Sequence, residues 1–158
     1  SKQVRWVVAP YEADSQLAYM AREKIVDVVI SEDSDNLAFL VPRTMFKWDG
    51  TQGQTVLLED VLSMGPDNEL NMEGFTTDML LAMCILAGCD YLPQVNGIGI
   101  KKAHELVSRH RGPPRLLRAL RYAKATSVPV TYEKDFQRAV LTFRHQRVFD
   151  PRIQRLVP

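Results

Sequence analysis

With 158 residues, 46% hydrophobic and 25% charged, the chain is sized and composed like one soluble globular domain with a real core. Its longest apolar run is about half the length a helix needs to span a bilayer, which excludes a membrane-spanning helix. The net charge of +1 hides a division: residues 1–100 carry 6 Lys/Arg against 15 Asp/Glu, and residues 101–158 carry 14 against 4, so acid that can hold cations and base that can hold a polyanion lie in different halves.

Residues 4–9 read as a buried strand stopped by Pro10. From Asp14, the spacing of Leu17, Ala18, Met20, Ala21 and Ile25 predicts a helix of about three turns. The β-branched run Val26–Ile30 predicts a second strand, buried on both faces as in a parallel sheet, which completes a β-α-β unit. Leu37–Val41 and Met45–Trp48 read as short strands, and Asp49-Gly50 and Gln52-Gly53 supply turn chemistry before a strand at Thr55–Leu58. Gly65-Pro66-Asp67-Asn68 is a loop. Thr76 or Thr77 is suited to cap a helix running to about Ala87, with Gly88 ending it. Gly97-Ile98-Gly99 makes a tight turn that opens a helix on Ala103, Leu106 and Val107. Arg115–Tyr122 predicts an amphipathic helix with a basic stripe at Arg115, Arg118 and Arg121/Tyr122. Phe136, Ala139, Val140 and Phe143 mark another helix, whose aromatic stripe is core and which Val148-Phe149-Asp150-Pro151 stops. No internal repeat or low-complexity segment interrupts this order.

The run Ser31-Glu32-Asp33-Ser34-Asp35, directly behind Val26–Ile30, is the most informative stretch. A buried strand that delivers two carboxylates at its exit, with no nearby Lys or Arg to pair them, stores repulsion that a cation relieves. Glu12 and Asp14 follow the first apolar run in the same manner, and Asp90 follows the apolar helix pattern 79–88. Three separated segments therefore end in acid, which makes a divalent-metal site the leading expectation. Residues two apart share a face on a strand but not on a helix, so Glu12/Asp14 and Asp33/Asp35 converge only in the loop or first turn after a strand. That is where the C-terminal edge of a parallel sheet places ligands. The competing reading is local: the helix dipole favours acid in a first turn, and Ser31 or Ser34 serves as a cap.

The backbone N–H groups at the start of the helix after Gly97 and Gly99, with Lys101 and Lys102 beside them, suit a phosphate, although a Gly-x-Gly turn between packed helices needs no ligand. Cys84 and Cys89, with no CxxC and three scattered histidines, argue against zinc and for reduced thiols in an intracellular compartment. The start, Ser-Lys-Gln-Val-Arg, leads straight into the first strand without a visible signal peptide.

Ala-Pro-Tyr-Glu-Ala-Asp-Ser-Gln (9–16), Glu-Asp-Ser-Asp-Asn-Leu-Ala-Phe (32–39) and Gly-Cys-Asp-Tyr-Leu-Pro (88–93), followed by Gly-Ile-Gly (97–99), resemble the internal nuclease region of the flap endonuclease/xeroderma pigmentosum G family, in order and over nearly the whole chain. Tyr-Glu-Ala-Asp, Met-Cys-Ile-Leu-Ala-Gly-Cys-Asp-Tyr-Leu and the late Val-Phe-Asp-Pro are similar to its exonuclease branch. The resemblance implies an α/β fold with a mostly parallel sheet and flanking helices over 1–66. It implies a helical part with a helix-two-turn-helix over 67–125, and a C-terminal helix and tail over 126–158. It also implies magnesium-dependent hydrolysis of DNA phosphodiesters, working 5′→3′ on double-stranded DNA from a 5′ end, nick or flap. Glu12, Asp14, Asp33, Asp35 and Asp90 would gather around two Mg2+ ions, with Mn2+ as a substitute. Gly97, Gly99, Lys101 and Lys102 would grip the duplex backbone. Carbonyls of Ala87, Gln94 and Ile98 would hold K+ or Na+, Ala87 standing where close relatives often have serine. A flap endonuclease proper and a non-catalytic DNA-binding module are the alternatives. The family places two more aspartates, a first strand and basic residues in an amino-terminal region that does not precede Ser1, so the chain by itself is expected to bind DNA weakly and cut poorly. A nuclear monomer working beside mismatch-repair or replication proteins completes the expectation.

Overall fold

Helix α1 (Ala13–Arg22) starts where Glu12 leaves extended backbone, and its inward face buries Ser15, Gln16, Ala18 and Ala21. Strand β1 (Val29–Ile30) pairs in parallel with β2 (Arg43–Phe46), and β2 pairs antiparallel with β3 (Gln54–Leu57), giving a three-stranded mixed sheet of order β1-β2-β3. The computed structural model describes residues 4–122 and 128–158, apart from the side chains of Arg121 and Tyr122. The expected boundary near residue 125, and the Arg121/Tyr122 part of the basic stripe, lie outside the described residues.

Three expectations for this half are corrected. Residues 4–9 form no strand, and Val4, Trp6 and Val8 are exposed, because no strand among the described residues offers them a ladder. The sheet is mixed rather than mostly parallel, and Ile30 is 53% exposed, so β1 is buried on one face only. Leu37–Val41 is not a strand: Asp35–Ala38 forms the short helix α2, closed by Val41 N–H donating to the Asn36 carbonyl at 3.0 Å across Leu40, whose φ is +60°. That six-to-one closure is a helix C-cap, and it lets an apolar run pack as one turn and a reversal. The β2–β3 hairpin falls where Asp49-Gly50 predicts it, with Asp49 Oδ1 accepting from the N–H groups of Thr51 and Gln52 at 2.8 and 2.9 Å. A short helix α3 (Leu58–Leu62) follows β3 directly.

The helical half is built on α4 (Thr77–Ala87), capped by Thr76 Oγ1, which accepts from Met79 N–H at 3.2 Å. Its residues Met79–Met83, Ile85 and Leu86 are buried, as befits a helix apolar on every side. It packs against α5 (Ile100–His110), α7 (Tyr132–His145) and α2, so it joins the helical half to the strand-bearing half. Helix α6 (Pro113–Tyr122) buries Leu116, Leu117 and Leu120 and exposes Arg115 and Arg118. Phe136, Ala139 and Phe143 of α7 are core, as their spacing predicts. The stretch 148–151 is more than a stop: β4 (Val148–Asp150) pairs antiparallel with β5 (Arg155–Val157). That hairpin is fastened to α1 by Gln16, whose Nε2 donates to the Phe149 carbonyl and whose Oε1 accepts from Phe149 N–H, both at 2.8 Å. Tyr19 Oη donates to Asp150 Oδ2 at 2.7 Å, and Arg152 bridges Asp150 and Glu23. Among the described residues no helix is long and apolar enough to cross a membrane.

Candidate functional site

Both acidic pairs straddle a helix start. Glu12 is the extended N-cap of α1 and Asp14 lies in its first turn; Asp33 precedes the Ser34 N-cap of α2 and Asp35 is the first helical residue. The local geometry is the one that lets residues two apart converge. The loop before α2 is held internally: Ser31 Oγ accepts from Asp33 N–H at 3.1 Å, Asp33 Oδ1 accepts from Asp35 N–H at 2.8 Å, and buried Asn36 donates Nδ2 to the Asp33 carbonyl at 2.8 Å. Ser34, in contrast, makes no side-chain cap. Glu32 is turned away from the group and accepts from Lys47 N–H at 2.6 Å.

Asp90 arrives by a different device. Gly88 ends α4 with φ +105°, and a Cβ there would come 2.9 Å from Gln94 Cβ, so the backbone turns where only glycine fits easily. Cys89 and Leu92 then exchange backbone hydrogen bonds at 3.1 and 3.2 Å, which puts Asp90 and Tyr91 at the tip of a tight turn. From that tip the Asp90 backbone lies close enough to Asp35 to act against the rise of its carboxyl pKa.

The electrostatics show that the acids share one neighbourhood. Asp35 is pushed up from 3.8 to about 6, first by burial, then by the charges of Asp33 and Asp90, with Asp14 adding to them. Asp14 is raised by burial, then by Asp33, Glu12 and Asp90. None of the five carboxylates is in an ion pair among the described residues. Their donor chemistry, all anionic oxygen and uncompensated, fits a hard divalent cation. No group of three or more His, Cys, Asp and Glu side chains among the described residues is gathered tightly enough to hold an ion unaided. An ion here would therefore keep waters or take further ligands. Cys84, beside this group, is pushed up to about 12 by burial and by Asp35, and stays a thiol; both cysteines are free.

At the second expected element, α4 and α5 are joined by 88–99, with Gly97 at φ +81° in the turn and Gly99 as an uncapped N-cap of α5. Lys101 and Lys102 are exposed and paired to Glu69 at 3.0 Å and Glu105 at 2.7 Å. Gln94 Nε2 donates to the Ile98 carbonyl at 2.8 Å, which engages one of that oxygen's two lone pairs.

Sequence reasoning missed two partners of Glu12. Tyr91 Oη and Gln146 Nε2 both donate to Glu12 Oε2. Tyr91 stands beside Asp90 in Gly-Cys-Asp-Tyr-Leu-Pro (88–93), so its place in the motif is its sequence signal; Gln146 follows α7 and carries none. A groove of about 850 Å3 opens beside Glu12, lined by Tyr11, Leu141, His145, Gln146 and Arg147.

Residues 3–90 match the family model described as the XPG I-region, and the chain belongs to that family. Rice Exonuclease 1 is 45% identical over 150 residues, which cover 95% of this chain and 18% of the relative. Among solved structures, the flap endonuclease-1 of Methanococcus jannaschii gives a TM-score of 0.60 at 28% identity, over 84% of this chain and 38% of that one. The Holliday junction-resolving enzyme GEN1, in complex with product DNA and Mg2+, gives 0.70 at 25% identity, over 92% and 40%. The chain spans about a fifth of the length of the curated relatives it matches.

Proposed function

We propose that the chain is the internal part of a magnesium-dependent 5′ deoxyribonuclease core, acting 5′→3′ on double-stranded DNA from a 5′ end, nick or flap. The observation that supports this most is the convergence of acids from three separated segments on Asp35, whose carboxyl is pushed to about 6 by burial first and then by the charges of Asp33, Asp90 and Asp14. Glu12, Asp14, Asp33, Asp35 and Asp90 would hold two Mg2+ ions, or Mn2+ in their place, partly through water. Such ions, when bound, supply positive charge to the scissile phosphate and acidify the attacking water. The chain's residues do the rest. The helix starts of α1 and α2 and the 89–92 turn aim the carboxylates. In this reading α4, 88–99 and α5 form the helix-two-turn-helix: Lys101, Lys102 and the first N–H groups of α5 attract duplex phosphates, and Gly97 and Gly99 let the backbone approach. Carbonyls of Ala87, Gln94 and Ile98 are proposed to hold K+ or Na+ there. A nuclear monomer acting beside mismatch-repair or replication proteins belongs to the same proposal.

The test is cleavage of 3′-labelled blunt, recessed, nicked and flapped duplexes by the full-length protein in Mg2+, with Asp35→Ala alongside. Stepwise shortening from the 5′ end is expected, lost in Asp35→Ala with DNA binding retained. Single cuts confined to flap bases would instead indicate a flap endonuclease proper, and cleavage by Asp35→Ala near the original rate would remove that residue from the site. One observation favours a non-catalytic DNA-binding role for this chain taken alone: among the described residues no three acids come close enough together to hold an ion unaided. The isolated 158 residues are accordingly expected to bind DNA weakly and cut little.

A further inference from the structure

Glu12 is exposed, at the start of α1, yet its side chain is tied to two segments far along the chain. Tyr91 Oη and Gln146 Nε2 both donate to Oε2, and Gln146 Nε2 also reaches Tyr91 Oη at 3.0 Å. The proton inventory closes. The phenol gives its one proton to Glu12 and accepts from the amide, and the amide divides its two protons between carboxylate and phenol. The Gln146 amide cannot be reversed, since its carbonyl oxygen would then face the carboxylate and its NH2 would take the place of Oε1. That Oε1 is buried without a partner, so the side chain is held by what its nitrogen does.

Both donors are braced by α7. The ring of Tyr91 meets Phe143 edge-on at 4.8 Å, and Phe143 meets Phe39, just beyond α2, at 4.8 Å. Gln146 is the C-cap of the same helix. Among the described residues nothing bonds to Glu12 Oε1.

We infer that Tyr91 and Gln146 are positioning residues that together hold Glu12 by one oxygen and leave the other turned to a divalent cation. The inference rests on the proposed metal-dependent nuclease reading. It adds that the end of α7, remote in sequence from the five acids of the site, sets the affinity of the site for its ion. Supporting partners of this kind are typically worth about 10–100-fold in metal affinity.

The test is Mn2+ binding to the full-length protein without DNA, read from the electron paramagnetic resonance signal of free Mn2+, for wild type, Tyr91→Phe, Gln146→Met and the double variant. Tyr91→Phe keeps the ring against Phe143, and Gln146→Met keeps bulk while removing the unpartnered oxygen, so thermal melting is expected to be retained. Mn2+ affinity should fall about tenfold in each single variant, and the double variant should be little worse than either, because both act on one oxygen. In cleavage, the Mg2+ needed for half-maximal rate should rise while the rate at saturating Mg2+ changes less than about threefold. Wild-type Mn2+ binding with affinity unchanged in both folded single variants would overturn this inference alone. A wild type that binds no Mn2+ would overturn the nuclease reading and this inference with it.

Discussion

Replacing Asp35 by Asn tests the cost of its buried charge, which burial sets first and the charges of Asp33 and Asp90 raise further. The carboxyl sits at about 6 in the fold against 3.8 when unperturbed, so the folded state binds this proton more tightly than the unfolded one. Each tenfold in that preference is about 1.4 kcal/mol, which gives roughly 3 kcal/mol before screening, and the half-buried position reduces it to about 1–1.5 kcal/mol. The sign follows from linkage. Above about pH 6 the group is ionised in both states and the fold carries the whole cost. Below 3.8 it is protonated in both and the cost is gone. Asp35→Asn should therefore melt about 2–6 °C above wild type at pH 7.5 in EDTA, given roughly 2–4 °C per kcal/mol at this size. The gap should shrink towards zero near pH 4. Addition of Mg2+ should then raise the wild type more than the variant, by RT ln(1 + [L]/Kd) for whatever affinity the acids supply. Differential scanning calorimetry across pH, with and without Mg2+, is the assay. An Asp35→Asn protein that is less stable than wild type by the same amount at every pH would refute the claim that burial and the neighbouring carboxylates make ionised Asp35 costly to the fold.

Other outcomes follow from the same geometry. Gly88→Ala forces a Cβ to 2.9 Å from Gln94 Cβ at φ +105°, so about 1–3 kcal/mol of stability should be lost in urea titrations, and cleavage should fall with the displacement of Asp90. Gln16→Leu strands the N–H and carbonyl of Phe149, with an expected loss of roughly 1–3 kcal/mol by the same method and earlier proteolysis of the β4–β5 hairpin. Lys101→Ala should reduce the slope of log affinity against log salt for duplex DNA by about one, since its pair with Glu69 is exposed and weak; an unchanged slope would remove it from the interface.

What could be read from the residues was whatever is enforced locally. Thr76 and Gly88 bracket α4 because capping and a left-handed terminus are chemistry of single residues, and Asp49-Gly50 marks its hairpin for the same reason. The acidic pairs were legible because spacing of two has a different meaning on a strand and on a helix start. The failures are long-range. Residues 4–9 carry a strand pattern, but a strand exists only with a neighbour to pair with. Leu37–Val41 has apolar content that fits either a strand or a buried turn, and the choice is made by Asn36 reaching Asp33 and by Leu40 accepting φ +60°. Val148–Asp150 reads as a terminus until Gln16, far back on α1, satisfies Phe149. Gln146 at Glu12 is the same kind of contact, made by packing and invisible in spacing.

Anomalous scattering from crystals of the full-length protein soaked in Mn2+ addresses the central claim most directly. Manganese is expected at the acid cluster, bound directly or through one water to Glu12, Asp14, Asp33, Asp35 and Asp90. Manganese found only at other surfaces, with those five carboxylates ion-free, would contradict it.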